Sequence, residues 1–148
     1  MKKIWFICFS VILLTGCRFT EGPFISFNDC DTRITGYWQL GNSYCNGVAI
    51  DRTTNMDVNR PGSYYAFFGE GTLSVTALHN GITRESPAGN WFFANKKRNK
   101  LDIYFMFMAK EYHYVADIKK LTLKQLIYEY DDIDGNHWRL EFYTRSHY

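Results

Sequence analysis

Proline is scarce in this chain, 3 in 148 residues, and no apolar run approaches the roughly 20 residues that a helix needs to cross a bilayer. A Pro-rich linker and a transmembrane helix are therefore both excluded as organising features. Histidine and cysteine number only 4 each and show no zinc-type spacing, so no metal site is expected. No segment longer than a turn or two carries a helical period. Basic and acidic side chains, 17 and 15, nearly cancel. That balance argues against a nucleic-acid binder, which needs a basic face to displace counterions, and against a dedicated anionic-lipid patch. The one local cluster, Lys96-Lys97-Arg98 with Lys100, is flanked by Asn95 and Asn99 between two apolar runs and reads as a solvated turn.

What is present first is an export signal. Met1-Lys2-Lys3 is positive, and residues 4–13 are apolar apart from Ser10. Small residues stand where an export signal is cut, and a cysteine follows at once. Leu14-Thr15-Gly16-Cys17 resembles the lipobox of bacterial lipoproteins. That resemblance implies cleavage before Cys17 and its acylation with more than one chain, palmitate among them. Stable anchoring takes two signals, such as dual acylation, so this arrangement suffices. Residues 1–16 would be the signal peptide, 17–32 a lipid-anchored tether and 33–148 the domain. The envelope, with Arg18 compatible with outer-membrane sorting and the periplasmic or surface side left open, is the expected location. Loss of Lys2 and Lys3 leaves 15 basic against 15 acidic residues.

Cys30 and Cys45 are candidates for a disulfide in an oxidising compartment. An extended 34–40 segment would hold them beyond opposite ends unless a flank folds back, so the sequence leaves both outcomes open.

Aromatic and β-branched residues broken by Gly and Asn lean towards sheet. Residues 34–40 put Ile34, Gly36, Trp38 and Leu40 on one face. Gly41-Asn42-Ser43 is expected to turn the chain into a second strand over 44–51. Residues 63–68 and 71–78 pair around Gly69-Glu70, with Leu73, Val75 and Ala77 inward. Asn80-Gly81 is a hairpin signal because both residues tolerate positive φ. Strands follow over 90–94, 100–108, 111–118, 121–130 with a bulge near Lys124-Gln125, and 136–145. Eight or so short strands joined by local turns make an all-β, antiparallel, up-and-down meander, closed into a small barrel that removes its exposed edges.

Gly36-Tyr37-Trp38 matches the G-x-W of lipocalins, and Arg145 is placed like the basic residue that packs over that tryptophan. Phe68-Gly69-Glu70-Gly71-Thr72, Gly89-Asn90-Trp91, Leu101-Asp102-Ile103, Ile118 with Leu121-Thr122, and Asp134-Gly135-Asn136 follow in order. The domain resembles the small lipocalin-like lipoproteins of bacteria. It departs from full lipocalins in its shorter barrel, in lacking a final helix and in the polar 52–59 stretch. The resemblance implies a pocket lined from Trp38, Phe68, Trp91, Phe105, Tyr128 and Trp138, a packing pair of Trp38 with Arg145, and no cofactor. Eight strands leave an interior either filled by side chains or wide enough for one small ligand.

No catalytic set assembles, so the chain is not expected to be an enzyme. His79 borders a hairpin turn, His137 points outward, His147 is terminal, and His113 shares a face with Glu111. The run 131–136 matches alternate positions of a calcium loop, yet Tyr130 stands where the first Asp is needed and the flanks are strands. Two partners besides the membrane follow as expectations. One is a small apolar or amphipathic ligand in the barrel mouth; the alternative is an envelope protein, inhibited or assembled by the loops of a filled barrel.

Overall fold

The structure, a computed structural model, describes residues 19–22, 29–53 and 58–144. Among these residues a five-residue helix α1 (Cys30–Ile34) precedes ten strands: β1 (Gly36–Cys45), β2 (Val48–Ala49), β3 (Tyr64–Phe67), β4 (Thr72–His79), β5 (Ile82–Glu85), β6 (Gly89–Phe93), β7 (Lys100–Phe107), β8 (Lys110–Leu121), β9 (Gln125–Asp131) and β10 (His137–Thr144). Every pairing is antiparallel. The order β1-β3-β4-β6-β7-β8-β9-β10 closes through β10 against β1, which gives the expected barrel with eight strands; β2 and β5 are flaps on β1 and β4.

Alternation builds the core. Leu73, Val75 and Ala77 of β4, Leu101, Ile103, Phe105 and Phe107 of β7, and Trp138, Leu140 and Phe142 of β10 are all buried. Their intervening neighbours face out, as a sheet wet on one side requires. Rings meet across the interior: Tyr65 lies 4.9 Å from Phe142 and 6.1 Å from Phe105, and Tyr128 lies 5.3 Å from Phe142. Side chains occupy the centre of the barrel.

One rim is plugged by α1. Asp29 caps it by accepting from the Thr32 amide at 2.7 Å. Trp38 donates its indole N–H to the Ile34 carbonyl, and the buried Arg33 donates to the Leu121 carbonyl, each at 2.7 Å. Two side-chain contacts thus fasten the plug to β1 and to the end of β8.

Three local expectations need correction. Gly41-Asn42-Ser43 does not turn; it lies inside β1, whose register against β10 shifts between Leu40 and Asn42. A Cβ on Gly41 would sit 2.6 Å from the Tyr143 ring, so the glycine makes room for that ring inside the strand. The strand expected over 44–51 is instead split by a turn at Asn46-Gly47, both at positive φ, between β1 and β2. Likewise 122–124 is a turn and not a bulge, because the Thr122 hydroxyl accepts from the amides of Lys124 and Gln125. The bulge falls between Ile118 and Lys120.

Candidate functional site

The strand registers leave one seam incomplete. β8 pairs with β9 only from Asp117 against Glu129 down to Leu121 against Leu126. Beyond Asp117, residues 110–116 stay with β7, while Tyr130 and Asp131 stay with β10. The two strands part towards the rim opposite α1. A cleft of about 470 Å³ opens there, lined by Val58 and Asn59 from the β2–β3 connection, residues 110–114 of β8, Tyr130, the β9–β10 turn and Trp138.

Its floor is aromatic. Tyr114 and Tyr130 stack at 3.7 Å between ring centres, and the Tyr114 hydroxyl is 3.1 Å from that of Tyr128. Burial pushes the phenols of Tyr65, Tyr114, Tyr128 and Tyr130 above their ordinary range. They stay protonated and serve as hydrogen-bonding groups, not as bases. Asn59 donates its side-chain amide to the Tyr130 hydroxyl at 2.8 Å. Its side-chain carbonyl is buried without a partner, one of two such atoms among the described residues.

The turn over the cleft is held by one carboxylate. Asp132 accepts from the amides of Asp134 and Asn136, from the Asn136 side chain and from the Trp138 indole. Burial raises its pKa, but these donors outweigh that and hold it below the usual aspartate range. The run considered as a calcium loop is thus a hairpin turn. Ile133 at its tip is fully exposed.

The sequence-predicted residues divide. Trp38, Trp91, Phe105, Tyr128 and Trp138 are buried and packed on other side chains, so they form core where a lined pocket was expected; of these only Trp138 also borders the cleft. Phe68 lies one residue past the inward Phe67 and leans on the exposed Tyr37 ring at 6.1 Å. Parity puts it on the outer side. Arg145 and Cys17 lie outside the described residues. The Cys30–Cys45 pairing is not formed: Cys45 is a free thiol. Cys45 is the last of the ten residues of β1, and at about 3.3 Å each the strand carries it far from α1. His113 pairs with Asp102 across β7–β8 at 3.0 Å, not with Glu111. Sequence reasoning missed Val58, Asn59, Tyr114 and Tyr130, because a parted seam is a property of register. No helix among the described residues is long and apolar enough to cross a membrane.

Part of the expected tether is docked on the barrel. Phe19 is buried under the Arg33 guanidinium at 5.6 Å, the Glu21 amide donates to the Lys119 carbonyl at 2.7 Å, and the Glu21 carboxylate takes two hydrogen bonds from Arg139 at 2.7 and 2.8 Å. Arg139 also donates to Glu129 and Glu141. The Arg139 hydrogen bond holds Glu21 below its ordinary 4.5; for Glu129 burial pulls upward, but bonds from Arg139 and Lys119 win and it too lies below. Carboxylates lowered in the folded state stabilise it above their unfolded pKa, and that contribution is lost as pH falls through the folded value. Acidification below pH 4.5 is therefore expected to release this strap first. Hydrogen exchange at the Glu21 amide reads it; an exchange rate that shows no extra acceleration there, relative to Leu140, counts against the strap.

No protein-family model and no curated protein matches the chain. Among solved structures, a redesigned β-barrel is similar over 82% of this chain and 100% of its own, at 12% identity and a TM-score of 0.48. The barrel is closed by its own strand pairings, β10 against β1.

Proposed function

We infer that this chain is an envelope lipoprotein held to a membrane through an acylated Cys17, whose barrel binds one small apolar or amphipathic molecule. The observation that carries the binding reading is the parted β8–β9 seam. It supports a concave, largely aromatic site at the rim, of a size within the usual range for small ligands, while the barrel interior is occupied. Val58, Tyr114, Tyr130 and Trp138 supply the apolar walls, and the charged Lys110, Glu111 and Asp134 stand at the edge for a polar end. Hydrogen-bonding phenols without an activated nucleophile favour binding over catalysis.

Fluorescence titration with fatty acids and retinoids tests the reading. One saturable site is expected, and Ile133→Lys, on a tip too exposed to disturb the fold, should weaken it about tenfold, as losing about 1.4 kcal/mol of apolar contact would. No saturable binding by any of them would sink the ligand. The anchor is tested by the mass of the Cys17 peptide from protein purified out of membranes. An acyl adduct is expected; recovery of Cys17 joined to Cys30 overturns the anchor, because one sulfur cannot carry both a thioether and a disulfide.

The occupied interior and the bare Ile133 tip favour a second reading, a module whose loops grip an envelope protein. Crosslinking to such a protein that Ile133→Lys abolishes, with no small ligand bound, would select it.

A further inference from the structure

Near charge balance overall conceals an uneven placement. The 94–99 connection between β6 and β7 and the 122–124 turn between β8 and β9 share the α1 rim. Arg98 is ion-paired with Asp31 of α1, and Arg33 of α1 donates to the Leu121 carbonyl just before the turn. Two strand spacings, about 10 Å, separate the connections. Together with the start of β7 they present Lys96, Lys97, Arg98, Lys100 and Lys124, all exposed. Arg98 and Lys100 are matched by Asp31 and Asp117, and Asp29 and Glu70 are further acids at this end, whereas Lys96, Lys97 and Lys124 have no ion-pair partner among the described residues. The cleft at the opposite rim is edged instead by Glu111, Asp132 and Asp134 against Lys110.

Apolar groups accompany the lysines. Leu123 is 54% exposed at the tip of its turn, and Phe92 and Tyr37, at 56% and 55%, stand on the outer face near the same ends of β6 and β1. Free ammonium groups beside an exposed leucine and aromatic rings suit the headgroup layer, where phosphates take the charge and the apolar groups reach the acyl boundary. The chain also enters here. Phe19, two residues after Cys17 in the sequence, sits under Arg33 of α1 at this same rim.

The geometry points to the α1 rim as a surface that docks on anionic lipid headgroups, leaving the cleft turned away from the membrane. It deepens the reading of a membrane-held binder, but the lysines act with or without the acyl group.

The test is lysine acetylation, read by mass spectrometry, of the purified protein on vesicles of phosphatidylcholine alone and of phosphatidylcholine with phosphatidylglycerol. On the anionic vesicles, labelling of Lys96, Lys97 and Lys124 is expected to fall about fivefold relative to Lys110 at the cleft. It should recover in concentrated salt, where the screening length shrinks from about 10 Å to about 3 Å. The double variant Lys96→Glu with Lys97→Glu, on an exposed loop, should lose the protection of Lys124 with an unchanged circular dichroism spectrum. Equal labelling of the two rims, or protection of Lys110 instead, overturns the inference. The same digest weighs the Cys17 peptide. An acyl group without lysine protection sinks the docking surface and leaves the anchor; protection without an acyl group does the reverse.

Discussion

Replacing Trp38 by alanine is expected to destabilise the domain by about 3–5 kcal/mol, a large part of the roughly 5–15 kcal/mol that holds a domain folded. Two losses combine. The indole is almost wholly buried at the α1 rim, so its removal leaves a cavity that the surrounding strands, tied by their ladders, cannot close. Its N–H also satisfies the Ile34 carbonyl at 2.7 Å, the contact that seats α1 on the barrel. Trp38→Phe separates the two, since it keeps most of the ring and removes the donor. It should lose about 1–3 kcal/mol, the usual penalty for a buried polar group left unpaired. Urea unfolding of both variants measures the difference. A Trp38→Ala loss near that of Trp38→Phe would mean that the rim collapses freely and that the plug is not packed as described.

The second large effect is expected at Gly89, where alanine should destabilise by about 3 kcal/mol. A Cβ there would stand 2.4 Å from the Tyr104 carbonyl and 2.6 Å from the Phe105 Cβ, so β6 and β7 would have to separate. Backbone cannot yield without breaking the Asn90–Tyr104 register beside it. Gly41→Ala is the matched comparison. Its Cβ would clash with the Tyr143 ring, which is 40% exposed and can swing outward, and would meet the Glu141 carbonyl at an ordinary 3.6 Å, so a loss of about 1 kcal/mol or less is expected. Equal melting shifts for the two alanines would refute the distinction between a backbone and a side-chain obstacle.

Gly89 also shows how far the sequence could be read. Gly89-Asn90-Trp91 was part of the resemblance to lipocalin-like lipoproteins, and the closeness of β7 supplies a physical reason for a glycine there. Alternation along β4, β7 and β10 was legible for the same kind of reason: each side chain's direction follows from its parity, whatever the partner strand. Turns were legible where glycine marks them, as at Asn80-Gly81. The β7–β8 turn carries positive φ at Met108 and Ala109, and nothing in their side chains announces it. Gly41 misled because a glycine that admits a ring and a glycine that turns a chain look alike in one dimension.

By itself the sequence determined an all-β antiparallel barrel and the inward sets of β4, β7 and β10, because these depend on local order: period two, turn chemistry and adjacency. Only the tertiary structure decided where β8 and β9 part, which creates the cleft around Asn59, Tyr114 and Tyr130, and which lysines share a rim with α1. Both depend on register and closure, which bring together residues far apart in the chain. The run Lys96-Lys97-Arg98 with Lys100 was legible in the sequence, but not that Lys124 and α1 stand beside it.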